Sequence, residues 1–250
     1  MILKTLITVL LFSYTGLMAT DDGEVSKGVE VSCSKRLKLG HEDEGEPVVR
    51  NAGVTTLDLS HDGTLRSVEF LKHFPCLTDL DLSSCHKLTS IRDVCLLTTL
   101  KHLNLASSEK IADLEELGKL VNLRTLNLSL VFNRDDVPYP GIFDFLKSLT
   151  FLRKLNLSGN DWIFHIESLS MLPTLTSLDI SYCPSIQDFE SLVRFPGLKR
   201  LKMGLPHIVR HSIDLSFLKE MSALESLYVN KQTKLPLLSD RVRIHIEKEI

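Results

Sequence analysis

One heptapeptide recurs along the chain at near-constant spacing, and few folds can accommodate that. It reads VTTLDLS from Val54, LTDLDLS from Leu77, LKHLNLA from Leu100 and LRTLNLS from Leu123. It continues as LRKLNLS from Leu152, LTSLDIS from Leu175, LKRLKMG from Leu198 and LESLYVN from Leu224. The intervals are 23, 23, 23, 29, 23, 23 and 26 residues. With the first residue of each unit as position 1, positions 1, 4 and 6 are apolar throughout. Positions 4 to 6 alternate as a strand does. A period of this length means stacked units that bury a common core, because none can cover its apolar face alone. Leucine, 47 of 250 residues, supplies most of that core.

Positions 12, 15, 18 and 21 are apolar as well. The second unit has Leu88, Ile91, Val94 and Leu97 there, and the third has Ile111, Leu114, Leu117 and Leu120. A strict step of three drifts by about 180° over four positions on an α-helix, so one continuous helix cannot face all four inward. A 3₁₀ segment, or a turn followed by a short helix, can. Asp113, Asp188 and Asp214 are positioned to cap these segments, and Asp113 with Glu116 has capping-box spacing. The expected architecture is α/β: a curved solenoid with a parallel sheet on its concave face and short α or 3₁₀ segments on its convex face.

These LxxLxLxxN/C units resemble the leucine-rich repeat family, and their brevity is similar to its SDS22-like and internalin-like members. The resemblance covers about Val54 to Leu238. It implies that position 9 points inward and bonds backbone where the chain leaves the strand. Asn160, Cys85 and Cys183 fit that role; Asp62, Ser108 and Gln232 stand there elsewhere. Val131 and Pro206 cannot make the bond, so irregular geometry is expected in those two lengthened units. The family consists largely of non-enzymatic binding modules.

Four segments follow. Residues 1–19 read as a signal peptide: one charge at Lys4, sixteen uncharged residues from Thr5 to Thr20, then the acidic Asp21-Asp22-Gly23-Glu24. That run is short for a bilayer span of about 20 residues. Residues 20–53 form an N-terminal cap with one or two short strands, 54–238 hold the eight repeats, and 239–250 form a C-terminal cap strand. The expected product is secreted and monomeric, with no membrane span in the mature chain.

Net charge is −3, with 24% charged residues, which gives no sign of a nucleic-acid partner. The five cysteines show neither a disulfide framework nor zinc-ligand spacing. No nucleophile elbow, phosphate loop or HExxH motif occurs, so neither an enzyme nor a cofactor is expected. His207 and His211, around Arg210, read as solvated loop residues.

Binding is the better question. Positions 2, 3, 5 and 7 face out from the concave sheet. The first two units present Thr55, Thr56, Asp58, Thr78, Asp79 and Asp81. Later units present Lys101, His102, Arg124, Arg153, Lys154, Lys199, Arg200 and Lys202, and the last presents Glu225, Tyr228 and Asn230. The face is acidic at one end and basic beyond it, wide enough for a protein partner. The six-residue insertion lies in the loop at 131–141, where Phe132 and Tyr139 offer aromatic anchors. Trp162 could extend that patch. Asn127 and Asn156 begin sequons and are candidate glycosylation sites, although LNLS produces such matches by itself. A glycan there would move recognition to the rims. The leading expectation is a secreted protein-binding module that uses the concave face and this loop. The alternative is an intracellular regulatory subunit or substrate adaptor of the phosphatase or ubiquitin-ligase type, favoured by the missing cysteine-rich caps.

Overall fold

The computed structural model describes residues 31–33, 53–131, 143–161, 163–204, 214–231 and 233–247. The signal segment, most of the N-terminal cap, Phe132, Tyr139, Trp162, Pro206, His207 and His211 lie outside them.

Each heptapeptide forms a strand, and the strands stack in sequence order into one sheet of ten. They are β1 (Val31–Cys33), β2 (Val54–Asp58), β3 (Asp79–Asp81), β4 (His102–Asn104) and β5 (Thr125–Asn127). The series continues with β6 (Lys154–Asn156), β7 (Ser177–Asp179), β8 (Arg200–Lys202), β9 (Ser226–Asn230) and β10 (Arg243–Glu247). β1 is antiparallel to β2, and every later pairing is parallel. Repeat position is kept across the sheet: Leu57, Leu80, Leu103, Leu126, Leu155, Leu178, Leu201 and Leu227 are successive register partners. The insertion between β5 and β6 does not disturb this, since the Arg153 N–H donates to the Arg124 carbonyl at 2.9 Å.

The step of three is resolved as 3₁₀ helix. Among the described residues seven such segments lie on the convex side, from Glu69–His73 to Ser216–Lys219. Buried residues three apart are joined by their own backbone: Leu71 donates to the Val68 carbonyl, Phe74 to Leu71 and Leu77 to Phe74, at 2.9, 2.9 and 3.1 Å. An i→i+3 ladder points every third side chain the same way, so the period of the sequence is the period of the helix.

The acids behave differently from expectation. The Asp113 carboxylate accepts from the Ile91 N–H and the Ser90 hydroxyl, and Asp188 accepts from the N–H groups of Ile166 and Glu167. Each therefore serves the preceding unit rather than its own, and no capping box closes on Asp113. The offset between convex segments brings the free N–H groups of one unit over the carboxylate of the next. Asp214 does act locally, accepting from the Ser216 N–H and hydroxyl.

Where the chain leaves β2 to β7, position 8 adopts positive φ. This holds for His61, Ser84, Ser107, Leu130, Gly159 and Tyr182. The reversal aims each position-8 N–H at the position-7 carbonyl of the following unit, as from Leu130 to Ser158 at 3.0 Å and from Gly159 to Ser181 at 2.9 Å. Position 9 then turns inward. Asn160 donates to the Leu128 and Leu157 carbonyls, Ser108 to Leu82, Cys85 to Leu59 and Cys183 to Leu157. Val131 is buried at the same place with an apolar side chain.

Two predictions follow from the packing. Gly159 has φ +74°, and a Cβ added there would lie 2.5 Å from Leu130 Cδ2. Gly159→Ala should cost about 2 kcal/mol and lower Tm by about 4–8 °C. Gly197→Ala, where the nearest atom would be 3.7 Å away, should leave Tm nearly unchanged. The second concerns the buried free thiols of Cys85, Cys95 and Cys183, raised by desolvation from an ordinary 9.0 to about 11, 12 and 12. The unfolded chain ionises these thiols first. Their contribution to stability is therefore whole below about pH 9 and lost as pH rises toward 11–12. Native-state alkylation mapped by peptide mass should label exposed Cys76 and spare these three, and chemical denaturation should show stability falling above pH 9.

Candidate concave binding surface

The strand ladder places concave side chains in straight rows. At position 2, the N–H groups of Thr78, Lys101, Arg124, Arg153, Thr176, Lys199 and Glu225 each donate to the carbonyl of the residue one unit earlier, at 2.7–2.9 Å. Lys101, Arg124 and Arg153 therefore stand on three adjacent strands about 4.8 Å apart. Lys154 lies beside Arg153, in register between Thr125 and Ser177. All four cations are exposed, and none has an ion-pair partner among the described residues.

The other predicted cations divide. Lys199 pairs with Glu225 at 2.8 Å, and this bond holds the Glu225 carboxyl below the usual range. Lys202 lies 3.7 Å from Asp179 and 5.2 Å from the Tyr228 ring, and Tyr228 stacks on His245 with centroids 4.3 Å apart. Lys199 and Lys202, toward the C-terminal end of the face, thus have partners of their own. His102 sits 4.0 Å from Asp79 at the edge of the acidic end. Arg200 is exposed beside Ser177 and Ser226.

Position 5 has a structural task. The Oδ1 atoms of Asp58, Asp81, Asn104, Asn127, Asn156 and Asp179 each accept the N–H two residues on, closing the turn out of the strand. Asn127 and Asn156 are also register partners, half-buried on neighbouring strands. The turn calls for Asp or Asn at position 5 and the repeat supplies Ser at 7, which accounts for both sequon-like sequences without reference to glycans.

A depression of about 400 Å³ opens on the rim beside the cation row, lined by Cys76, Thr78, Thr99, Lys101, Asn122, Arg124 and Phe151. Phe151 is 58% exposed and does not figure among the residues predicted from sequence. A signal for it existed. In three other units the equivalent residues are Thr99, Asn122 and Thr174, whose side chains bond the backbone of the preceding unit. A phenylalanine in that register does no such work. A second hollow, of about 470 Å³, lies over the acidic end and includes Asp58, Asp79, Asp81 and His102. Phe132, Tyr139 and Trp162 fall outside the described residues, so the structure does not place them on this surface. Among the described residues no helix is long and apolar enough to cross a membrane.

Comparisons agree with this geometry. The family described as "Leucine Rich repeat" matches residues 148–163 and 172–188. No curated protein matches. Among solved structures, internalin C2 from Listeria monocytogenes is similar at 24% identity, over 71% of this chain and 81% of that one, with a TM-score of 0.54. Another internalin from the same organism is 20% identical over 72% of this chain, with a TM-score of 0.45. The chain spans 58% of the length of that second protein. Stacked LxxLxL strands, the inward position 9, 3₁₀ convex segments and the matched repeats make the fold a leucine-rich repeat solenoid.

Proposed function

We propose that the chain is a secreted, non-enzymatic module that binds a protein partner through its concave face, at an acidic segment of that partner. The observation that carries this is the row Lys101, Arg124 and Arg153, with Lys154 beside it. These four cations are held on adjacent strands with no acid among the described residues to answer them. Like charges at strand spacing repel, and a rigid sheet cannot move them apart. An acidic segment laid across β4 to β6 relieves that repulsion, and because the scaffold is already ordered it loses little entropy on binding. Phe151 and the adjacent depression give the same segment an apolar anchor point. The inserted loop at 131–141 leaves the chain between the strands that carry Arg124 and Arg153, and so borders this centre in sequence. Lys199, Lys202 and Tyr228, already engaged with their neighbours, play a lesser part.

A second reading has its own support. Cys76 is an exposed free thiol, and the described cysteines form no disulfide, as suits a reducing compartment. There the same face would serve an intracellular regulatory subunit or adaptor.

Capture from native extract tests the surface. Arg153→Glu with Lys154→Glu should weaken retention of the captured protein about tenfold or more and leave Tm within a degree or so, since neither residue makes an ion pair to lose. Lys199→Glu should affect retention much less. Equal losses from both variants would remove the cation row from consideration. Compartment is tested separately by the intact mass of the chain from its own cells. The secreted reading expects a mature N-terminus near Thr20; a chain retaining Met1 favours the adaptor.

A further inference from the structure

β10 pairs with β9 on one side, and among the described residues no strand pairs with its other edge. Arg243 donates to the Glu225 carbonyl, so Arg243, His245 and Glu247 turn their backbone groups toward β9. Strand alternation then turns the N–H and C=O groups of Ile244 and Ile246 outward, unpaired within the sheet. Their side chains continue the core rows of Leu227 and Val229, yet Ile244 is 47% exposed and Ile246 63%. Leu237, at the same end, is 93% exposed. An open edge backed by apolar residues invites another strand.

The sequence of β10 specifies which strand. Arg-Ile-His-Ile-Glu is charge-complementary to its own reverse. We propose that, in place of the monomer expected from sequence, two copies of the chain join through antiparallel pairing of β10 with β10, about a two-fold axis at His245. In that register Ile244 faces Ile246 of the second copy, and their outward N–H and C=O groups satisfy one another. His245 faces its own counterpart, and Arg243 faces Glu247 twice, once on each side of the axis. Residues 243, 245 and 247 then fall at the non-hydrogen-bonded positions, where opposed Cα atoms lie about 4.5 Å apart and side chains interact most closely. Sliding by two residues sets Arg243 against His245 in one direction and Ile244 against Lys248 in the other. Parallel pairing sets Arg243 against Arg243. Opposed isoleucines and opposite charges coincide in the register centred on His245, which gives a self-complementary, isologous interface. A two-fold axis normal to the sheet keeps both concave faces on one side, so the partner surface is doubled without being covered.

Sedimentation equilibrium on the purified chain provides the test. Wild type should run at twice its own mass across micromolar concentrations. Arg243→Glu and Glu247→Arg should each weaken dimerisation about tenfold or more, because each sets like charges opposite one another. The double exchange, Arg243→Glu with Glu247→Arg, should restore it, since the opposite pairs are rebuilt. Independently, His245→Cys in a Cys33→Ser/Cys76→Ser background should form a disulfide-linked dimer on mild oxidation. A monomeric wild type would overturn the proposal, whether the edge is bare or covered by another segment or another protein. So would a dimer indifferent to the single reversals, or one that the double exchange does not rescue.

Discussion

The sheet depends on hydrogen bonds between units, while bonds within a unit close its turns and 3₁₀ segments. A strand of three residues has no partner inside its own repeat. Its N–H groups reach the carbonyls of the unit before, its position-8 N–H reaches the unit after, and the position-9 side chain closes onto the unit before. The acids at 113 and 188 repeat this outward reach on the convex side. At about 1 kcal/mol net for each bond, an isolated unit could not offset the entropy of ordering its 23 residues. Stability therefore belongs to the stack, and register passes from each unit to the next. That is why six additional residues between β5 and β6 leave Leu126 opposite Leu155.

The same ladder determines the electrostatics. Because repeat position equals row on the sheet, any charge repeated at one position becomes a line of charges at strand spacing. Where neighbours differ in sign the line neutralises itself, as in Lys199 with Glu225 and Asp179 with Lys202. Where they agree, as at Lys101, Arg124 and Arg153, repulsion is built into a rigid surface. A net charge of −3 conceals this, since composition averages over rows that the fold separates.

Much of this was legible in the sequence because the repeat imposes it. Period three meant a 3₁₀ segment or a turn with a short helix, alternation meant strand, and the concave residues followed from position number. The inward bonds of Asn160, Cys85 and Cys183 followed from the family resemblance. What the sequence concealed was contact between units. Asp113 and Asp188 looked like caps for the segments they precede, because local spacing cannot show that the neighbouring unit's N–H groups lie nearer. Positive φ at position 8 was hidden because glycine marks it only at Gly159, while His61, Leu130 and Tyr182 adopt it under the pull of the next strand. Phe151 precedes position 1 of its unit, outside positions 2, 3, 5 and 7, so position number did not bring it forward. The pairing of Lys199 with Glu225 could have been foreseen, since both occupy position 2 of adjacent units.

Hydrogen–deuterium exchange on the chain, free and bound to a protein captured through it, would test the central claim most directly. If the cation row is the recognition surface, protection on binding should concentrate in peptides covering 99–104, 122–127 and 151–156. The 3₁₀ segments at Leu114–Lys119 and Glu167–Met171 should be unchanged. Protection centred on those convex segments, with the three concave stretches exchanging as in the free chain, would contradict the account.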